Sequence, residues 1–175
     1  GLSEALEYWQ ASYRKSIWND LDFLIEVWIE KQGLVNTIYT VTNEYDIPVM
    51  PSRGFASLST LYEVGKHAEE TGKHIYILYL GDYDPSGELI SDTIKKTLND
   101  FQADVSIHRV AINKDHINTL NLPTRPTKDS NHSAHFESGE SVELDSMEPE
   151  DLRALLQRVI NALIPEDIIQ GIKKV

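Results

Sequence analysis

The sequence predicts an α/β fold, a compact Rossmann-like parallel sheet with helices on both faces. Two observations lead to this prediction. Short segments rich in β-branched and aromatic residues alternate with segments whose apolar residues recur at helical spacing, which is typical of strands joined by crossover helices. The segment His74 to Leu80, HIYILYL, is apolar almost without interruption. Such a run is typical of a strand that is covered on both faces in a parallel sheet.

The individual elements follow from the same criteria. We predict strands over residues 21–28, 47–52, 74–80 and 103–112, and connecting helices over residues 34–45, 55–70 and 88–101. Gly72 is expected to end the second of these helices, since glycine favours the left-handed conformation found there. In that helix we expect Phe55, Leu58, Leu61, Tyr62 and Gly65 to face inward.

A helix is predicted over the first 20 residues, because Leu2, Leu6, Trp9 and Tyr13 share one face and Ser3 is a candidate N-cap. The chain begins at Gly1 without a methionine, so we expect it to be part of a longer protein. This helix is then either the end of an upstream domain or a separate N-terminal element.

Beyond residue 112 the alternation of strands and helices stops. Residues 113–148, interrupted by Pro123 and Pro126 and rich in small polar residues, predict long loops that flank the site, with a short helix near residues 116–120 and an extended segment at 141–147. An amphipathic helix is predicted over residues 149–164, and a last short helix after it. We therefore expect a core of residues 21–112 and C-terminal helices in residues 149–175.

Composition excludes several classes of protein. The 175 residues include no cysteine, which excludes disulfide bonds, thiol nucleophiles and cysteine-based zinc or iron–sulfur centres. No apolar run approaches the ~18 residues of a membrane-spanning helix, and no signal peptide is evident, so we expect a cytoplasmic protein without membrane contact. The net charge of −12 argues against binding nucleic acid through bulk positive charge.

Two aspartates follow the most apolar predicted strand, within the segment GDYDPSGE at residues 81–88. Ligands bind at the carboxyl edge of an open α/β sheet, and alternate residues of an extended segment project to the same side. The carboxylates of Asp82 and Asp84 would then converge and require a cation, for which Mg²⁺ is suited. In the alternative interpretation, Asp84 caps a helix that begins at Pro85, and Asp82 is a solvated loop residue.

A third carboxylate, Glu30, follows another predicted strand. If the two strands are neighbours, Glu30 lies at the same edge as the aspartates, where a carboxylate beside a bound metal is a workable general acid or base. By itself it would be a solvated charge at a helix start. Glu26 belongs to the same strand, but its mid-strand position makes it less suited to reach the edge.

Together these segments resemble a Toprim domain, the domain shared by topoisomerases, bacterial primases, overcoming-lysogenization-defect nucleases and small recombination proteins. The resemblance rests on WIEKQGL at residues 28–34 and GDYDPSGE at residues 81–88, each at a strand end, and it covers roughly residues 22–112. The family pattern is a glutamate after the first strand and two aspartates, separated by one residue, after the third. GDYDPSG is most similar to topoisomerase VI A-subunit-like and phage-type Toprim proteins.

The resemblance implies phosphoryl transfer on nucleic acid, with DNA as the expected substrate: strand cleavage, religation or nucleotide polymerisation. Glu30 would match the acid/base glutamate, and Asp82 and Asp84 the ligands of Mg²⁺, for which Mn²⁺ can substitute. A topoisomerase-like enzyme also needs a nucleophilic tyrosine, which an upstream domain or another subunit would supply together with a DNA-binding surface. We expect Tyr8 and Tyr13 to pack in the core and Tyr83 to point away from the aspartates.

Other charged residues are secondary candidates. Three acidic residues have two interpretations each: Glu88, Glu143 and Asp145. They are either further ligands of the metal or of its bound water, or they are charges at a helix start favoured by the helix dipole. Residues 109–128 carry four basic residues against one acidic residue. We therefore consider the basic residues of this region and one after the second strand as phosphate contacts: Arg53, Arg125 and Lys128.

Two further hypotheses differ in kind from the magnesium enzyme. His132 and His135 are three residues apart, but their Ser-rich loop offers no helical frame for zinc, so we interpret them as loop histidines. The chain is alternatively a non-catalytic Toprim-like interaction domain. In that case its acidic surface would dock a basic partner protein, with the amphipathic helix of residues 149–164 packing on that partner.

Overall fold

A four-stranded parallel sheet lies at the centre of the fold, with strands in the order β2-β1-β3-β4. The computed structural model describes residues 1–52, 57–127 and 139–174. The strands are β1 (Phe23–Ile29), β2 (Val49–Pro51), β3 (His74–Leu80) and β4 (Val105–Ala111). Ile29 pairs with Leu80, so β1 and β3 end side by side at the carboxyl edge of the sheet.

Helices cover both faces of the sheet, as the sequence predicts. They are α1 (Leu2–Asp20), α2 (Val35–Glu44), α3 (Leu58–Thr71), α4 (Pro85–Asp100), α5 (Lys114–Thr119), α6 (Pro149–Leu163) and α7 (Glu166–Lys174). Apolar residues of α2, α6 and α7 form one core cluster with the sheet, and those of α3 and α4 form the other. The α/β fold class and its two-sided layering are therefore confirmed.

The strand β3 shows why the sheet needs helices on both faces. Ile77, Leu78, Tyr79 and Leu80 are all completely buried. Leu78 and Leu80 belong to the core cluster beneath α2 and α6, whereas Ile77 and Tyr79 belong to the cluster beneath α3 and α4. Because successive side chains of a strand point to opposite faces, an uninterrupted apolar strand is stable only between two layers.

The ends of α3 are set by local chemistry. The Ser57 side chain caps the helix by accepting a hydrogen bond of 3.2 Å from the Thr60 amide, which explains a start later than the predicted residue 55. Gly72 ends the helix with φ of 65°, as predicted. Two residues predicted to face inward, Leu58 and Tyr62, are exposed instead.

The reason is a rotation of the buried face of α3. Leu61, Val64 and Ala68 form this face, at spacings of three and four residues. The predicted stripe correctly contained Leu61 and the half-buried Gly65, which faces Ala103, but it wrongly included Leu58 and Tyr62. Phe55 lies outside the described residues.

The N-terminal helix α1 corrects another prediction. Leu2, Leu6, Tyr8 and Trp9 are exposed, and Tyr13 is 38% exposed, so the expected core packing of Tyr8 and Tyr13 is wrong. The helix joins the body through its C-terminal half, where Ile17 is buried and the Trp18 indole N–H donates to the Tyr45 carbonyl at 2.7 Å. Helical spacing identifies an apolar face but does not show that another element covers it.

The region of residues 113–148 contains more structure than the predicted loops. Besides α5, it holds a short antiparallel pair of β5 (Arg125–Pro126) and β6 (Glu140–Ser141) and a 3₁₀ turn at Leu144–Ser146. The helix α6 begins with Pro149 at its first turn and buries Leu152, Leu156 and Ile160. None of the helices in the described ranges combines the length and apolarity needed to cross a membrane.

Candidate active site at the carboxyl edge of the sheet

The pairing of β1 with β3 places Glu30 beside the aspartate loop. The Glu30 backbone N–H donates to the Leu80 carbonyl at 2.9 Å, which continues the sheet by one residue. The Glu30 side chain then accepts a hydrogen bond at Oε2 from the backbone N–H of Asp82, also at 2.9 Å. The two sequence motifs therefore meet directly, although 52 residues separate them in the chain.

Gly81 makes this close approach possible. A Cβ atom at position 81 would lie 2.7 Å from Glu30 Oε2 and 2.7 Å from Tyr79 Cε1. Both distances are far below a normal van der Waals contact, so any side chain here would displace Glu30 or the Tyr79 ring. Glycine at this position is thus a requirement of packing.

Asp82 is held from the side of the C-terminal region. Its Oδ1 accepts a hydrogen bond of 2.7 Å from the Leu144 backbone N–H and lies 3.6 Å from the Lys31 ammonium. Next to it, Tyr83 and Val142 exchange two backbone hydrogen bonds of 2.9 Å each. The segment predicted as extended around residue 142 therefore supports the aspartate loop.

Arg109, on β4, holds the same loop from the other side. Its Nη1 donates to the Asp82 carbonyl at 3.0 Å and its Nη2 donates to Ser91 Oγ at 2.8 Å. The guanidinium lies over the Tyr79 ring, 5.3 Å from the ring centroid. The sequence marks Arg109 only as part of a basic stretch, because no sequence pattern shows that it reaches the loop after β3.

Asp84 directly precedes α4, which begins at Pro85. The Asp84 carbonyl accepts the Glu88 backbone N–H at 3.0 Å, so the first turn of the helix is closed there. The position agrees with the helix-start interpretation of Asp-Pro. It also leaves the half-buried Asp84 carboxylate close enough to act electrostatically on Glu30 and Asp82.

The electrostatics of the site favour a cation. Burial raises the pKa of Glu30, and the charges of Asp82 and Asp84 raise it further, against the lowering effects of the Asp82 N–H and of Arg109. Burial likewise raises the pKa of Asp82, against the Leu144 N–H and Lys31. Carboxylates that resist ionisation together in a partly dry site are typical of cation and catalytic sites.

The carboxylates at this edge are oxygen donors of the kind that Mg²⁺ prefers. In the described ranges, no group of three Asp, Glu or His side chains converges closely enough to enclose a metal ion by itself. Mg²⁺, however, usually takes one or two protein carboxylates and keeps water or phosphate oxygens at its other positions. Asp82 and Asp84, with Glu30 beside them, provide oxygen ligands of this type on one strand edge.

The secondary candidates lie around this centre, mostly in ion pairs. Glu143 pairs with Arg125, and Asp145 Oδ1 lies 2.7 Å from the Lys31 ammonium. Glu88 is exposed in the first turn of α4. Glu26 accepts a hydrogen bond from the Trp28 indole at 3.0 Å and does not reach the edge. The remaining candidates lie outside the described residues: Arg53, Lys128, His132 and His135.

The tyrosines near the aspartates are buried. Tyr83 is 6% exposed and packs in the core. The Tyr79 hydroxyl is buried and has no hydrogen-bond partner within the described part of the chain. Burial, followed by the charge of Glu30, raises the pKa of Tyr79 far above its usual range. Sequence reasoning missed Tyr79, since its place beside Glu30 depends on the strand register.

No family model matches the chain, and no curated protein matches it.

Proposed function

We propose that this chain is a Toprim-like domain that carries out Mg²⁺-dependent phosphoryl transfer on nucleic acid, with DNA strand cleavage as its reaction. The observation that carries the proposal is the hydrogen bond from the Asp82 N–H to Glu30 Oε2. It joins a glutamate after one strand to an aspartate pair after the neighbouring strand. This juxtaposition is what the Toprim resemblance requires.

The roles of the carboxylates follow from their surroundings. Glu30, with its raised pKa, is suited to accept and return a proton at the reacting oxygen. Asp82 and Asp84 would hold the Mg²⁺ ion, which when bound supplies positive charge against the phosphate and its developing charge. A chain with a net charge of −12 needs such a cation to approach a polyanion.

Water is the nucleophile that the described residues favour. Tyr83 is packed in the core, and Tyr79 is completely buried with a strongly raised pKa. Neither hydroxyl is therefore placed to attack a phosphodiester. We propose hydrolytic strand cleavage for this chain, whereas a topoisomerase-like reaction would need a tyrosine from elsewhere.

Cleavage assays with labelled single- and double-stranded DNA in Mg²⁺ and in Mn²⁺ test the proposal. We expect Glu30→Gln to lower the cleavage rate by about 100-fold or more, the usual contribution of a general acid or base. Asp82→Asn and Asp84→Asn should abolish metal-dependent cleavage. Glu26→Gln is the matched control, because it changes a carboxylate of the same strand that does not reach the site.

Equal cleavage by wild type and Glu30→Gln would assign the activity to another site or to a contaminant. The absence of DNA binding and cleavage in the wild type would favour the interaction-domain alternative. That alternative retains the acidic surface, but α6 no longer supports it, because the apolar face of α6 is buried on the sheet.

A further inference from the structure

We infer that Lys31 is the internal counter-ion of the proposed metal site: its ammonium group, hydrogen-bonded to Asp145, lies close enough to Asp82 to compete with a divalent ion there, and Asp145 retains it when the ion binds. The inference rests on the proposed function, because it concerns the same site. It assigns a role to two residues that the phosphoryl-transfer proposal leaves without one.

The ammonium group lies between two carboxylates. Lys31 follows Glu30 directly, with extended backbone before the 3₁₀ turn at Gln32–Leu34. Its Nζ is 3.6 Å from Asp82 Oδ1 and 2.7 Å from Asp145 Oδ1. At these distances both carboxylates stabilise the charged form of the lysine.

The charge of Lys31 is maintained by these neighbours. A lysine is charged at neutral pH in water, and the nearby carboxylates of Asp82 and Asp145 favour that charged form further. The side chain is therefore a full positive charge at neutral pH. At 3.6 Å from Asp82 Oδ1, it is close enough to repel a divalent ion bound to that carboxylate.

The contacts of Asp82 Oδ1 differ in their freedom to move. The Leu144 N–H belongs to the backbone of a 3₁₀ turn and is fixed at 2.7 Å. The Lys31 ammonium, in contrast, sits at the end of a flexible four-carbon stem. An ion that approaches Asp82 is therefore expected to displace the ammonium and to leave the backbone contact in place.

Asp145 is the hydrogen-bond partner that would retain the ammonium when an ion binds Asp82. It makes the shorter of the two contacts, and its side chain is 51% exposed, compared with 14% for Asp82. Because Leu144 and Asp145 are adjacent, the segment that fixes Asp82 also draws Lys31 away from it. The two ion pairs are thus expected to affect metal affinity in opposite directions.

Isothermal titration calorimetry of Mg²⁺ and Mn²⁺ binding tests this arrangement on the complete chain. We expect Lys31→Met to tighten binding about five- to tenfold, the factor that corresponds to two unit charges about 4 Å apart in a water-like medium. Asp145→Asn should weaken binding by a similar factor, because the ammonium then has Asp82 as its remaining partner of the two. Metal-induced increases in melting temperature should follow the same order.

Lys66→Met is the matched control. It removes a lysine of α3 whose ion pair with Glu70 has a similar length, 3.7 Å, on an exposed helix surface. This variant should bind metal like the wild type. Lys31→Gln is a second variant for the case in which the apolar methionine impairs folding, and circular dichroism of each variant checks the fold.

Unchanged or weaker metal binding by a folded Lys31→Met or Lys31→Gln would overturn the inference, as would tighter binding by Asp145→Asn. The proposed function fails separately: a wild type that binds metal but never cleaves nucleic acid removes the enzymatic proposal and leaves the counter-ion role intact. If neither the wild type nor the lysine variants bind metal, both proposals are wrong.

Discussion

At the scale of single residues, the central feature is a carboxylate whose environment opposes its charge. Glu30 lies half-buried beside Asp82 and Asp84, and its pKa is raised. The Asp82 N–H and the charge of Arg109 compensate only in part for burial and the two like charges. Such a group stabilises the metal-free protein best when it is protonated.

The pH dependence of stability follows from this shift. Since the folded pKa of Glu30 lies above the unfolded value of 4.5, the folded state holds the proton more tightly. The free energy of unfolding should therefore fall as pH rises from about 4.5 through the folded pKa. Above that window, in EDTA, Glu30→Gln should melt at a higher temperature than the wild type.

Thermal melts across pH 4 to 8 are the measurement. Glu88→Gln, which changes an exposed carboxylate in the first turn of α4, serves as the control and should not reproduce the gain. A Glu30→Gln protein that is less stable than the wild type at neutral pH in EDTA would show that the ionised carboxylate is stabilising. The electrostatic description of the site would then be wrong.

At the scale of secondary structure, the junction between β3 and the aspartate loop has no room for a side chain at position 81. The strand register was predictable only in outline, but the requirement for glycine after HIYILYL becomes clear once Glu30 and Tyr79 are seen on either side of Gly81. A substitution at this position tests the juxtaposition of β1 and β3 directly.

We expect Gly81→Ala to destabilise the protein by about 1–3 kcal/mol, as overpacking of a closed site does, and to remove cleavage by moving Glu30. Gly33→Ala is the matched control, because a Cβ atom at position 33 meets no atom within 4 Å. Chemical denaturation measures the stability and the DNA assay measures the activity. A Gly81→Ala protein with wild-type stability and cleavage would contradict the packing described here.

Some boundaries of the secondary-structure elements are predictable from the sequence and others are not. The segment predicted for β3 matches the observed strand from His74 to Leu80, because a run that is apolar on both faces has one consistent interpretation. The start of α3 was misplaced because the capping role of Ser57 was not recognised. Leu6 and Trp9 of α1 are exposed because no other element covers them within the described part of the chain. The spacing of apolar residues along a helix does not show whether another element packs against it.

At the scale of the whole molecule, the alternation of strands and helices was sufficient to predict the layered sheet. The meeting of Glu30 with the Asp82 loop was predicted only on the condition that their strands are neighbours, which the strand order shows. The supporting contacts were not predictable. Leu144 and Arg109 reach the loop from elements that lie far from it in the chain, and no local pattern marks them. The sequence left Asp145 either as a further metal ligand or as a helix-start charge, whereas the structure pairs it with Lys31.

The net charge of −12 is a property of the whole molecule that bears on its proposed activity. A molecule with this charge repels phosphate overall, so its proposed activity depends on cations bound at one edge of the sheet. Metal binding at Asp82 and Asp84 is therefore the claim on which the functional account depends.

A crystal structure of the protein grown with Mn²⁺, with anomalous scattering data collected to locate the ion, tests this claim most directly. We expect an anomalous peak between the carboxylates of Asp82 and Asp84, beside Glu30, and its loss in the Asp82→Asn/Asp84→Asn double variant. Crystals at saturating Mn²⁺ that show no ion at these carboxylates, with the Lys31 ammonium still beside Asp82 Oδ1, would contradict the account.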